Sequence, residues 1–277
     1  MLSGTMPELP EVEAVRRRLD PVMAQQRFTR VRVNRPDLRT PFPPRFSARL
    51  SGRTVLAVQR RAKYLLLPLS SGETLVMHLG MSGSFEIDVA RADPEDARHD
   101  HVVFRMSSGA VVTFNDPRRF GFMDLLDADA LGAHPVLSTL GLEPLSPAFD
   151  AAALARACQG KKTPLKVALL DQRVVAGLGN IYAAEALHVA RLSPDRQAST
   201  LATASGAPRE PARRLAAAIK QVLTEAVARQ SREVYRAARF RVYDREGDPC
   251  RRGGCGGTIQ RRTQAGRSTF FCPRCQR

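Results

Sequence analysis

The 277-residue sequence has no apolar run of about 18 residues, so nothing in it reads as a membrane-spanning helix. Its opening "MLSGT" lacks the basic flank and apolar stretch of a signal peptide, and a cytosolic location is the expectation that follows. No internal repeat is visible, so a repeat architecture is not expected. Cysteine is scarce, with five residues of which only Cys158 precedes position 250. A disulfide framework is therefore not expected in a reduced compartment, and Cys158 reads as an ordinary buried thiol. Acidic residues become scarce after the midpoint. Residues 1–150 hold 19 Lys and Arg against 18 Asp and Glu, a balance of +1, whereas residues 151–277 hold 24 against 9, a balance of +15. A polyanion is expected to bind in the second half, although charge alone does not separate DNA from RNA or from a merely solvated basic face.

What is present divides the chain. At 43% hydrophobic residues, 277 residues can bury a substantial core and suggest more than one domain. "ELPEVEAVRRRLDPVM" places Leu9, Val12, Val15 or Arg16, and Leu19 at helical spacing, with Pro and Glu in the first turn. From Phe28 to about Leu125 the pattern changes to short runs such as "KYLLLPL", "ETLVMHLG" and "AVVTFND" with "SSG" turns, an antiparallel β-sandwich pattern. "LEPLSPAFD" reads as a linker, after which Ala, Leu and Arg favour helices, including one from about Ala212 to Arg229. The fold class expected is α+β multidomain. It comprises an N-terminal β-sandwich with flanking helices over 1–142, a helical domain over 143–240 and a cysteine-bearing tail over 241–277.

Three local patterns carry chemistry. Cys250 and Cys255, then Cys272 and Cys275, can surround one structural Zn2+ ion with four thiolates, and the Gly-rich "GGCGG" lets the backbone turn at a ligand. So small a tail is not expected to fold without its metal. "DQRVVAGLGNIYAAEAL" sets a Gly-x-Gly-Asn turn between helical segments, where helix-start amides could meet a phosphate or where a plain αα-corner could form. "FNDPRRFGF" places two arginines and an aromatic in a turn, suited to gripping a strand and wedging into bases, or to cation–π packing at a surface.

Taken together, "MPELPEVE" at 6–13, "RRAKYLLL" at 60–67, "HLGMSGS" at 78–84, "HDH" at 99–101, "DPRRFG" at 116–121, "GLGNIYAAEAL" at 177–187 and the four-cysteine tail resemble bacterial formamidopyrimidine-DNA glycosylases, in order and over nearly the whole chain. The resemblance implies a β-sandwich domain, a helix-two-turns-helix domain and a zinc finger, acting as a monomer on damaged double-stranded DNA. The implied activity is excision of oxidised purines (8-oxoguanine and formamidopyrimidines), followed by β,δ-elimination of the abasic strand.

Residue by residue, the resemblance implies that Pro7 is the nucleophile that forms a Schiff base. It makes Glu8 the carboxylate assisting sugar opening, Lys63 the proton donor in β-elimination, and Arg267 the group assisting δ-elimination. Met81, Arg118 and Phe120 would fill the gap left by the flipped base, while His99, Arg118, Lys161, Lys166 and Asn180 would hold the DNA backbone. Proline chemistry makes the start matter. An amino-terminal proline is a secondary amine with basicity near 8, whereas an internal one is a tertiary amide without a usable lone pair. The expectation is a working form that begins at Pro7, without residues 1–6.

Two features depart from the family pattern: that five-residue extension before Met6, and a shorter stretch, "RQSREVYRAARFRVYDREGDPC", where the family has a glycine-rich loop over the flipped 8-oxoguanine. Excision of formamidopyrimidines is expected to persist, and capture of 8-oxoguanine is the property the shorter loop bears on. The alternatives are an endonuclease VIII-like pyrimidine glycosylase, against which "PELPEVE" stands, and a non-catalytic damaged-DNA binder if the extension is retained. A zinc-finger transcription factor would leave the β-sandwich unexplained.

Overall fold

The computed structural model describes residues 6–89, 97–230 and 240–277. Two compact units divide at Ser138/Thr139. In the first, helix α1 (Leu9–Met23) begins at Glu8, which is extended at φ −98°. The Glu8 main-chain N–H donates to Glu11 Oε2 at 2.9 Å and the Glu8 carboxylate accepts from the Glu11 amide, a reciprocal capping box. Pro10 sits in the first turn, where no intrahelical donor is needed. Leu9, Val12, Leu19 and Met23 are buried, as the helical spacing predicts.

Eight strands follow: β1 (Phe28–Val33), β2 (Gln59–Arg61), β3 (Tyr64–Pro68), β4 (Glu73–His78), β5 (Ser84–Asp88), β6 (Asp100–Met106), β7 (Val111–Asn115) and β8 (Phe122–Asp127), with the short helix α2 (Phe46–Leu50) after β1. They form two four-stranded antiparallel sheets, ordered β1-β6-β7-β5 and β2-β3-β4-β8. Alternate residues of both sheets meet in one apolar core: Leu65, Leu67, Leu75, Met77, Met123 and Leu125 from one, Phe85, Val102, Phe104, Val112 and Phe114 from the other. This is the β-sandwich expected from the strand pattern. A short helix, α3 (Ala128–Leu131), follows β8.

The second unit is built on helices α4 (Ala151–Cys158), α5 (Leu165–Leu170), α6 (Asn180–Ala190) and α7 (Glu210–Gln230) and the hairpin of β9 (Gln260–Gln264) with β10 (Arg267–Phe271). The Asp150 carboxylate caps α4 by accepting from the Ala153 N–H at 2.7 Å. Helix α6 is buried along nearly all its length, and its small residues Ala183, Ala184, Ala186 and Ala190 let neighbours approach on every side. One neighbour is the cysteine-bearing tail, whose Val242, Ile259 and Phe270 cluster with Ala184. The helices and the tail therefore form one unit. Within it Gly141 N–H donates to Gln172 O at 2.8 Å, so the chain joins the second unit before the Pro144/Pro147 stretch. None of the described helices is long and apolar enough to cross a membrane.

Candidate nucleic-acid and zinc sites

In the first unit, Pro7 is buried and Glu8 is 3% exposed at the start of α1. One turn further on, Glu13 receives Arg60 Nε from β2 at 3.1 Å, together with Arg16 Nε and Arg17 Nε at 3.1 and 3.0 Å. Burial alone would raise the Glu13 carboxyl, but these guanidiniums, Arg16 foremost, bring it below its ordinary value. Arg16 also donates to Val58 O, so α1 is fastened to the β2–β3 hairpin by two ties. Lys63 lies in the two-residue turn of that hairpin, after Ala62, which is fully buried at φ 53°.

His78, at the end of β4, pairs in register with Tyr64. Its ring stacks on Phe122 at 5.6 Å and 13°, and Gly80 N–H donates to its Nδ1 at 3.0 Å. Burial, then the charges of Lys63 and Arg39, take the His78 pKa down to about 4, so the ring stays neutral and can accept from Gly80. This steers the turn carrying Met81. The second turn, 116–121, is held by Asp116, which is fully buried. Asp116 accepts from Ser82 Oγ at 2.5 Å and from Gly121 N–H at 2.8 Å, and its main-chain oxygen accepts from His101 Nε2–H at 2.9 Å. Ser82 Oγ in turn accepts from Arg118 N–H at 3.1 Å. A Cβ on Gly80 would stand 2.3 Å from the Phe120 carbonyl carbon, so glycine is what lets the two turns touch. Met81, Arg118 and Phe120 are thereby brought together. Phe120 is 46% exposed, unusual for so large an apolar side chain, and the Arg118 guanidinium lies 4.9 Å over its ring. His99 is half-buried just before β6, and its carbonyl accepts from Asp116 N–H.

The second unit treats its predicted residues differently. Lys161 is half-buried in the loop after α4, while Arg267 is exposed beside the two-residue hairpin turn Ala265-Gly266, both at positive φ. Lys166, expected to contact the DNA backbone, is instead fully buried. Its Nζ donates to Asn180 Oδ1 at 2.6 Å, Ser268 O at 2.8 Å and Thr269 Oγ1 at 2.8 Å. An ammonium has three donors, and all three are used. The expected phosphate contact is corrected to a structural tie between α5, α6 and β10. Asn180, the first residue of α6, adds a bond from Nδ2 to Ser268 O at 3.0 Å, while its flank of the helix start stays half-exposed. In the preceding turn Gln172 accepts from Gly177 N–H at 2.9 Å and donates to Leu178 O at 2.8 Å.

The four tail cysteines converge, their sulfurs all within 4.8 Å of one another. Cys250 and Cys275 are 3.9 Å apart, and Cys255 and Cys272 are 3.6 Å apart. Four sulfurs at about 2.3 Å from one zinc ion stand about 3.8 Å apart at tetrahedral angles, so the set fits one structural zinc ion. Sequence reasoning missed the groups that hold this centre to the helices. His188 Nε2 lies 3.3 Å from Cys250 Sγ, and the Glu185 carboxylate accepts from the main-chain N–H groups of Arg241, Val242 and Tyr243 at 2.8 to 3.0 Å. "AEALH" reads as ordinary helix, and only the tertiary fold reveals what Glu185 and His188 face. Cys158 is buried far from the cluster, with burial pushing its thiol up to about 11. Of the shorter stretch over 229–250, residues 231–239 fall outside the described residues, as do residues 1–5.

Comparison with known proteins agrees with this arrangement. Residues 6–123 match the formamidopyrimidine-DNA glycosylase N-terminal domain, 140–236 the formamidopyrimidine-DNA glycosylase H2TH domain, and 247–277 the zinc finger found in FPG and IleRS. The formamidopyrimidine-DNA glycosylase of Rhodopseudomonas palustris is 56% identical over 293 aligned positions, covering 98% of this chain and all of that protein. The chain belongs to the formamidopyrimidine-DNA glycosylase family. The Beijerinckia indica protein of the same name is also 56% identical, over 98% of this chain and all of its own length. Among solved structures, MutM (Fpg) of Thermus thermophilus is 41% identical with a TM-score of 0.79, covering 98% of each chain. Lactococcus lactis Fpg bound non-covalently to AP-site DNA is 30% identical with a TM-score of 0.83, covering 98% of this chain and 99% of that one. The alignment to the Rhodopseudomonas protein is longer than this chain, so that relative carries residues with no counterpart here.

Proposed function

We propose that this chain, a base-excision repair DNA glycosylase by family, removes oxidised purines through the amine of Pro7 and then cuts the strand. Freed of residues 1–6, Pro7 offers a secondary amine with basicity near 8, so a substantial fraction is neutral at cellular pH. The amine attacks C1′ of the damaged nucleotide, the base departs, and the resulting iminium draws electrons from the sugar, so that the 3′ and then the 5′ phosphate leave. Glu8, buried at the start of α1 beside Pro7, moves protons at the sugar. Lys63 and Arg267 serve the two eliminations. The Met81, Arg118 and Phe120 turns occupy the duplex where the lesion has left, and His99, Lys161 and Asn180 hold phosphates. Its place of action is the cytoplasm, on the chromosome, as a monomer.

The observation that supports this reading most is the family match from Met6 to the last cysteine, with Pro7 and Glu8 at the head of the N-terminal domain. The test is borohydride trapping on abasic and 8-oxoguanine duplexes, followed by sequencing of the adducted peptide. An adduct on an amino-terminal Pro7 is expected. Tight DNA binding with no adduct, on a chain still carrying Met6, would leave a damage-binding protein instead.

A further inference from the structure

In the second unit, six arginines line one cavity of about 630 Å³: Arg191, Arg196, Arg214, Arg252, Arg274 and Arg277. No carboxylate side chain is among its lining residues. None of the six belongs to the residues assigned above to lesion DNA. Arg191 caps the C-terminus of α6, whereas Asn180 opens the same helix. Eleven residues at 1.5 Å each separate the cavity from the proposed phosphate contact by about 16 Å.

Part of this charge has a local use. A zinc tetrathiolate bears a net charge of −2, and Arg252 and Arg274 are the guanidiniums that serve it. Arg252 hydrogen-bonds Cys275 and donates to His188 O at 2.5 Å, while Arg274 donates to Gly256 O at 3.1 Å. Of the other four, Arg214 has Glu210 at 3.2 Å on an exposed face of α7, and Arg196 donates to Thr200 Oγ1 at 2.8 Å. Among the described residues, the side-chain partners of these four are that hydroxyl and that solvated carboxylate, which leaves an excess of guanidinium charge around one concavity. Guanidinium forks match phosphate oxygens, two N–H groups at a time.

We propose that this cavity is a second DNA-backbone site, which holds phosphates of a duplex segment other than the one carrying the lesion. The proposal rests on the lesion-site reading only in that lesion DNA is bound through other residues. A repair enzyme with such a site can keep one segment while it samples another, which favours transfer between segments over release.

The test uses the full-length zinc-loaded protein, saturated with one equivalent of unlabelled duplex bearing a tetrahydrofuran abasic analogue. A fluorescent undamaged duplex is then titrated in at low salt and followed by anisotropy. One further duplex is expected to bind, displaceable by inorganic tripolyphosphate. The triple variant Arg191→Gln, Arg214→Gln, Arg277→Gln is expected to weaken that second binding about tenfold or more and to lower its salt slope by about 2 to 3. Its zinc content and its cutting of lesion duplex stay as in the parent. Should the triple variant lose zinc, Gly253→Glu supplies the second route. An added Cβ there meets no atom within 4 Å, and its carboxylate enters the cavity and weakens second-duplex binding. The proposal is overturned if saturated wild type binds no second duplex, if the variants bind it as well as wild type, or if tripolyphosphate binds where duplex does not. Loss of lesion cutting in wild type would instead strike the Pro7 reading, so the two failures are distinguishable.

Discussion

The two units solve the same problem with different materials. The β-sandwich is held by a continuous apolar core from Val12 to Leu125, and its polar anchors, Asp116 and His78, are spent on aiming two turns outward. The second unit packs small alanines around α6 and fastens its basic tail with buried polar nodes: Lys166 under β10, Glu185 under 241–243 and four thiolates around a metal. In the tail, whose buried apolar cluster is small (Val242, Ile259 and Phe270 against Ala184), specific polar ties and an ion replace bulk burial. The prediction is that the second unit breaks at single points, whereas the first loses activity before it loses structure.

Metal removal should give the largest effect. Chelation, or Cys272→Ser, is expected to unfold the tail and abolish DNA cutting while the β-sandwich stays folded; thermal scans and zinc content read both. If the tail stayed folded without zinc, the contrast drawn here would fail. Next comes Lys166→Met, which takes the donor from Asn180 Oδ1 and Thr269 Oγ1 and leaves Ser268 O with the Asn180 Nδ2 bond alone. A loss of roughly 4 kcal/mol is expected from denaturant curves. A phosphate-contact role would instead leave stability unchanged and alter only the salt dependence of binding.

The His78 prediction concerns pH. Its folded pKa of about 4 lies below the unfolded value of about 6.5. The unfolded chain therefore binds the extra proton between those values, and the stability of the first unit should fall by about 3 kcal/mol as pH drops from 6.5 to 4. Above 6.5 the contribution is complete and flat. His78→Asn, which keeps an acceptor for Gly80 N–H, should remove most of that slope in acid titrations.

The smallest stability change belongs to Phe120→Ala. The side chain is 46% exposed, so unfolding free energy should move by no more than about 0.5 kcal/mol. Lesion excision should nevertheless drop at least tenfold in single-turnover assays. A variant that cut lesion DNA at the parental rate would remove Phe120 from the proposed wedge.

Much of this was legible in the residues themselves. The 3.6-residue spacing of Leu9, Val12 and Leu19 marks α1, alternation marks the strands, and the paired cysteines mark the zinc centre, because these are local periods and short-range ligand spacings. Charge counting located the basic half in the same way. What Lys166 does was not legible: its sequence neighbourhood is that of any basic helix residue, and only packing against β10, some hundred positions away, turns it from a DNA contact into a buried tie. The partnership of Ser82 with Asp116, the grip of Glu185 on 241–243 and the gathering of six arginines at one end of α6 are likewise products of the tertiary fold. Each depends on distances between residues far apart in sequence, and no periodicity or motif encodes those. The sequence alone determined the element types, the metal and the sign of the partner's charge. Tertiary structure decided which charged groups face solvent and which are consumed inside, because a polar group's role is set by the partners packed against it.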